Sequence, residues 1–317
     1  MTTSAATERN VTSGVVTILL TVSAMALTDA FVKYASSDMT LWQIYVCRSC
    51  LALPVLMLLA WGRFWPRAVG WVSLRSTLLV AMYLAIYAAI PVLDLSVIAA
   101  SLYTGPLFIV LLSAVFLNDA VRPAHWVAVV LGFVGVLFVV QPVGSDFTPL
   151  SLVPVAAAFL YAAAAVLTRA KCADEAPVAL AISLNIALVV CGSVVSGALT
   201  LFQPGGAADY PFLLGTWSPV DPDTMSVLLV MALLIVAVTI GLARAYQSPR
   251  PQVIATFDYA YLISAVFWGF VFFGEVPDRA TVAGMTLIVI AGMLVLARTK
   301  AAAGESKIKL AEKSGQE

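Results

Sequence analysis

The fold class predicted by this sequence is an all-α polytopic membrane protein, with ten transmembrane helices arranged as two inverted five-helix repeats. Three observations predict it. Hydrophobic residues make up 62% of the 317 and charged residues 11%, with a mean hydropathy of +1.01, whereas a soluble domain is about half apolar and about a quarter charged. Apolar runs of about 17 to 24 residues follow one another along the chain, each long enough to cross a hydrocarbon layer of about 30 Å. Finally, the stretch Ser96 to Asp119 has an echo in Gln252 to Glu275. Val97, Ile98, Ala99, Tyr103, Val110, Val115 and Phe116 coincide with Val253, Ile254, Ala255, Tyr259, Val266, Val271 and Phe272, and both stretches end on an acid. Seven identities in 24 exceed the roughly two that chance gives at this composition, so the chain reads as two copies of one unit.

Residues 1–13 are polar, without a packed pattern, and read as a cytoplasmic N-terminal segment. The spans follow near 14–34, 40–61, 74–91, 95–117, 124–141, 149–169, 177–201, 225–245, 251–273 and 280–297. The first repeat takes 14–147 and the second 148–298; a polar, Lys-rich cytoplasmic tail, 299–317, closes the chain. A cleaved signal peptide is the rival reading of the first span, but its apolar run is long and its removal would leave the halves unequal. Residues 203–224 form the longest connection, rich in Pro, Gly and Asp around Tyr210, Phe212 and Trp217. It reads either as a partial lid or as a spacer with interfacial aromatics.

Charge sets the orientation. Connections on one side of this count carry Arg9, Arg63, Arg67, Arg75, Arg122, Arg169, Lys171, Arg244, Arg250, Arg298, Lys300, Lys307, Lys309 and Lys313. The other side holds Arg279, with Lys33 at a helix end, among Asp38, Asp94, Asp146, Asp209, Asp221, Asp223 and Asp278. By the positive-inside rule both termini face the cytoplasm of an inner or plasma membrane. An odd number of spans per copy turns the second copy upside down, and inverted repeats of this kind recur in secondary transporters, where each half rocks about a midplane site.

Charged residues inside apolar spans are expensive, at about 2.5 to 3.5 kcal/mol near the bilayer centre, and are read first as parts of a polar pathway. Asp258 sits within the ninth span and is matched in the repeat by Leu102; cargo recognition or proton coupling stands beside an acid satisfied by neighbouring hydroxyls or by Arg48. Asp29 and Lys33, four apart on the first span, share a helix face and can pair. Together with Arg48 they read as an outer gate or cargo-anion site, against a permanent ion cluster with Lys33 snorkelling. Tyr103 and Tyr259 hold equivalent repeat positions, and Tyr83, Tyr87, Tyr161, Tyr261 and Trp268 join them as candidate cavity lining or as helix packing. Ala162 to Ala165, Gly132, Gly135 and Gly284 allow close helix approach. Pro91, Pro106 and Pro154 are places where spans break or kink. Cys47 and Cys50 form a CxxC in an apolar helix, and the chain has one histidine, His125. Buried free thiols are expected there, with no metal and no cofactor.

These features resemble the EamA family of the drug/metabolite transporter superfamily. The resemblance rests on the ten spans, the odd repeat, the acids closing the fourth and ninth spans (Asp119 in LNDAVRPAHW, Glu275 in FGEVPDRATVAG) and the small residues of the fifth and tenth (GFVG at 132–135, Gly284, Gly292). It covers about 14–297. Asp29-Ala-Phe-Val-Lys33, Arg48 and FDYAYL around Asp258 look like the branch holding S-adenosylmethionine and riboflavin carriers. Asp119 stands where the family usually has Glu and follows Asn rather than Gly, keeping the marker's charge but not its identity. The resemblance implies a secondary transporter of a small organic metabolite, with uptake of a vitamin or nucleoside-like solute ahead of export of amino acids or toxic amphiphiles.

A membrane-embedded enzyme would need a nucleophile, metal or base set, and one histidine with scattered acids offers no evident one. A channel would show rings of polar residues along several helices, and ATP-driven pumping would need a P-loop. Expected partners are a small-molecule cargo and the lipid bilayer, without nucleic acid, for a monomer or homodimer working by proton coupling or exchange.

Overall fold

A computed structural model describes residues 2–62, 64–116, 123–141, 149–172, 174–203, 206–246, 260–291 and 293–294. Among the described residues the chain is all-helical. It runs α1 (Thr2–Ala35), α2 (Leu41–Leu59), α3 (Val69–Ala89), α4 (Leu95–Leu102), α5 (Gly105–Phe116) and α6 (Pro123–Val140). After a 3-10 turn at Pro149–Leu152 come α7 (Val153–Lys171), α8 (Pro177–Phe202), the single turn α9 (Pro211–Leu214), α10 (Pro222–Tyr246) and α11 (Ala260–Phe273). A last apolar helix, α12, spans Arg279–Ala291. Among the described residues six helices are long and apolar enough to cross a membrane: Val16–Ala35, Leu41–Leu59, Val69–Ala89, Pro149–Thr168, Pro177–Phe202 and Pro222–Thr239. At the expected fourth, fifth, ninth and tenth spans the apolar helices are shorter. The chain is thus a multi-pass membrane protein.

Three boundaries differ from the sequence reading. Residues 2–13 are helical and prolong α1, because Ala, Glu and Arg favour a helix whether or not one face is apolar. The third span starts at Val69 rather than 74. The fourth is two helices, interrupted at Tyr103 and Thr104. Pro106 lacks the amide hydrogen that the rung to Leu102 would need, and proline disfavours helical geometry in the residue before it. Freed carbonyls are taken up locally: Thr104 donates through its hydroxyl to Ser101 O at 2.6 Å, and Leu107 N–H to Thr104 O at 2.9 Å.

Among the described residues the main packing joins helices from the first part of the chain, α1 to α6, to helices from the second, α7 to α11. Helix α2 lies against α8, α3 against α7, and α1 against both α10 and α11, with α4 and α5 touching α7. If the spans of the two expected repeats are exchanged in order, α3 on α7 becomes α1 on α10, α4 on α7 becomes α1 on α11, and α2 on α8 maps onto itself. The glycines expected at close contacts sit at them. A Cβ on Gly135 would lie 2.8 Å from Gly284 O, and one on Gly284 2.5 Å from Gly135 O, so α6 and α12 meet backbone to backbone. Gly192 likewise seats α8 against Trp42 O of α2.

The connection before α10 is fastened to the start of α2. Gln43 donates to Ser218 O at 2.9 Å and accepts from Ser218 N–H at 3.0 Å, while Trp42 Nε1 donates to Leu213 O at 2.7 Å. Phe212 is buried beneath it. The CxxC differs from expectation in one member: Cys50 is exposed on the outer face of α2 and Cys47 half-buried, both free.

Candidate functional site

The polar groups of the interior gather where α1, α2, α3, the α4–α5 break and α11 meet. Each is placed by helical spacing: Tyr45 and Arg48 are three apart on α2, and Tyr83 and Tyr87 four apart on α3, so each pair shares a face. Arg48 is fully buried. Its Nη1 donates to Tyr87 OH at 3.3 Å, and its guanidinium carbon lies 5.8 Å from the centre of the Tyr87 ring, a cation held over an aromatic face. Tyr87 in turn packs on Tyr45 and Tyr83, with ring centres 6.1 and 5.5 Å away.

On the other side Tyr261 OH donates to Asp29 Oδ2 at 2.5 Å. This joins α1 to α11. The Tyr261 ring stacks on Tyr103 at 5.4 Å, 29° from parallel, so the residue at the broken span is brought against the same helix. Trp268 is turned toward α1 and donates to Ser23 O at 3.2 Å.

The expected pairing of Asp29 with Lys33 is not what the structure has. Lys33 Nζ pairs with Glu275 Oε1 at 2.5 Å and donates to Leu93 O at 2.7 Å, with the Phe273 ring centre 5.2 Å away. Glu275 Oε2 also accepts from Leu95 N–H at 2.8 Å, at the start of α4. A Cβ on Gly269 would come within 2.8 Å of that same oxygen, so glycine leaves the carboxylate its seat. A carboxylate at a helix N-terminus is favoured by unpaired amides and by the helix dipole. Four groups on α1, the α3–α4 connection, α4 and the segment after α11 are thereby tied at one point.

At another junction Glu175, in the α7–α8 connection, accepts from the amides of Arg67 and Ala68 at 3.0 and 2.6 Å. Nearby, Arg75 Nε donates to Thr168 Oγ1 at 2.8 Å. There the second half holds the first through backbone amides and a hydroxyl.

Of the sequence candidates, Asp29, Arg48, Tyr83, Tyr87 and Tyr103 are brought together, and Tyr261 completes the group. Tyr161 differs: it is 44% exposed on α7, although its ring edge lies over Gly105, where a Cβ would be 3.2 Å away. Asp258 and Tyr259 lie outside the described residues. Tyr45 and the partnership of Glu275 with Lys33 were not singled out from sequence. The spacing of Tyr45 from Arg48 was a usable signal for the first. A shallow recess bounded by Ala68, Val69, Gly70, Trp71 and Leu74 has none of the interior polar residues in its wall.

Comparison with known proteins gives this geometry a context. Residues 12–141 match the EamA-like transporter family. A riboflavin transporter of Rhizobium johnstonii is 27% identical over 90% of this chain and 89% of its own. The pseudopaline exporter CntI of Pseudomonas aeruginosa is 27% identical over 91% and 97%. An S-adenosylmethionine uptake transporter of Rickettsia bellii is 24% identical over 67% and 66%. One solved crystal structure, 16% identical, superposes with a TM-score of 0.59 over 90% of this chain and 96% of that one, a likeness of fold alone. The resemblance read from the sequence is borne out: residues 12–141 carry the EamA-like transporter signature, and the chain's relatives are named as transporters rather than enzymes.

Proposed function

We propose that this protein is a secondary carrier that moves a small organic metabolite by alternating access between two inverted five-helix repeats, 14–147 and 148–298. One observation carries the proposal: Asp29 bonded to Tyr261, and Arg48 over Tyr87, stand in the apolar interior where helices of the two halves meet. Polar groups in that setting are expensive unless they serve a pathway. The packing supports the repeat, since its main helix contacts map onto one another when the halves are exchanged.

In this reading both termini face the cytoplasm and the cargo lies among Asp29, Arg48, Tyr83, Tyr87 and Tyr103. Tyr161 and Trp268, and from their sequence positions Asp258 and Tyr259, are further candidates for contact with cargo. The Lys33–Glu275 tie closes the outer end, because it joins the last turn of α1 to the segment after α11 and caps α4 in the same contact. Opening outward breaks that tie and lets α11 part from α1; opening inward keeps it. A carrier needs closure at one end at a time, and a charge pair with a few hydrogen bonds is strong enough to hold and weak enough to release.

Uptake of a vitamin or nucleoside-like solute such as riboflavin or S-adenosylmethionine is the favoured direction and cargo, from the relatives so named. Export is the second reading, favoured by the equal identity to an exporter over nearly the whole chain. Proteoliposomes loaded with unlabelled solute and given labelled riboflavin or S-adenosylmethionine outside test the class. Saturable entry accelerated by solute on the far side is expected. Entry rising linearly with concentration, with no acceleration by internal solute, would belong to a channel and would sink the proposal.

A further inference from the structure

Among the described residues Arg48 is the largest side chain with no exposed surface, and its Nε is buried without a partner. A guanidinium offers five N–H donors. Here Nη1 reaches one phenol at 3.3 Å, whereas Nε is buried without a partner. The hydroxyls of Tyr45 and Ser49, three residues before it and one after, are buried and unpartnered too. Among the described residues no acid pairs with the guanidinium. Asp29 is engaged by Tyr261, Glu275 by Lys33, and among the described residues the latter is the ion pair within 4 Å. A guanidinium enclosed by phenol rings, with no carboxylate among the described residues within 4 Å and its Nε unpartnered, is a standing cost to the fold. An anion arriving from outside would remove it, with charge-assisted bonds from Nε and from the Tyr45 hydroxyl on the same helix face.

We infer that the cargo bears an anionic group, a carboxylate or a phosphate, which docks on Arg48 Nε with Tyr45, and a flat ring laid along Tyr83 and Tyr87. This inference rests on the carrier reading and narrows its substrate class, placing solutes with a carboxylate or phosphate above neutral riboflavin. It ranks solutes by charge: an acid above its amide, a phosphate ester above the neutral alcohol with the same ring. The interior is shut around Arg48 in this conformation, so the anion enters when the halves part and shields the guanidinium as they close.

The test uses the full-length protein in lipid nanodiscs and three matched pairs, nicotinate with nicotinamide, indole-3-acetate with indole-3-acetamide, and flavin mononucleotide with riboflavin. Binding is read by thermal shift and by equilibrium dialysis. The expected result is that the anion of at least one pair binds roughly tenfold or more tightly than its neutral twin, the scale of a hydrogen bond to a charged group. That preference disappears in Arg48→Gln and survives in part in Arg48→Lys. If Arg48→Gln does not run as a single species on size exclusion, Tyr45→Phe takes its place, lowering the affinity of the anion severalfold more than that of its neutral twin. The first and second pairs report a carboxylate and the third a phosphate. Equal binding of the twins, or an anion preference that persists in Arg48→Gln, overturns the inference. So does failure of every anion to bind. Counterflow of a neutral probe in that case leaves the carrier reading standing, so the two failures are told apart.

Discussion

Lys33 and Arg48 are both cations set in apolar helices, and the molecule treats them in opposite ways. Lys33 finds a carboxylate, a carbonyl and a ring face, with 13% of its side chain exposed beside a Glu275 side chain at 9%. Arg48 finds one phenol, one ring face and nothing for Nε. The first charge is satisfied within the protein and acts as a fastening. The second is left with capacity to spare, and a site with capacity to spare is where a ligand adds most. Sequence alone makes the two look alike; their partners separate them.

Replacing each by methionine probes the contrast most strongly. Lys33→Met leaves the Glu275 carboxylate largely buried without its cation, and removing one member of such a pair costs about 3 kcal/mol. A large fall in melting temperature of the purified protein is expected, and Lys33→Met combined with Glu275→Gln should recover most of it. Arg48→Met removes a charge that has no ionic partner among the described residues, so stability should hold or rise by about 1 kcal/mol while transport is lost. Melting curves with the proteoliposome assay read both. If the two variants shift stability in the same direction and by similar amounts, Arg48 is as fully satisfied as Lys33 and the distinction fails.

A smaller effect is expected at the second polar contact. Tyr261→Phe keeps the ring on Tyr103 but deletes the phenol donor to Asp29, and hydrogen bonds to charged groups contribute about 1.5 to 3 kcal/mol. A loss of about 2 kcal/mol is expected. Transport should fall more in Asp29→Asn than in Tyr261→Phe if the carboxylate itself meets cargo or proton. Equal loss in the two would assign Asp29 to holding α11 against α1.

The sequence makes the all-helical fold legible because burial in lipid demands long apolar runs, and those are countable. It makes the glycine contacts legible as well: Gly135 and Gly284 fall where a side chain would strike the opposing backbone. The break at Tyr103 was foreshadowed by Pro106, but a proline marks only that a rung is missing, not that the span divides. Least legible were partners. Asp29 and Lys33 are one helical turn apart and look made for each other, yet their real partners lie 232 and 242 positions away. Spacing along one helix says which side chains share a face, whereas the choice of partner is settled by whichever helix packs against that face. Tyr45 is hard to read for a related reason, since an uncharged residue in an apolar run draws no notice until the Nε of the arginine three residues on is seen to lack a partner.

The mildest prediction concerns a tie between the halves that needs no buried cation. Asp278 precedes α12 and accepts from Thr281 N–H at 2.8 Å and from Gln141 Nε2 at 2.8 Å. Bonds from Thr281, side chain first and then amide, followed by Gln141, hold its carboxyl below the ordinary value of 3.8. A depressed folded value means that the carboxylate stabilises the fold above the unfolded value and that the contribution is lost as pH falls through the folded one. Asp278→Asn should therefore lower stability by at most about 1 kcal/mol, the scale of a helix cap, at pH 5 to 7. The gap from the parent should close as pH drops below about 4. Melting curves of both proteins across that range decide it. A gap that stays constant down to pH 3 would mean that the side chain serves through its shape and its hydrogen bonds alone. The outer end would then depend for its ionic hold on the Lys33–Glu275 pair, the contact that Lys33→Met removes.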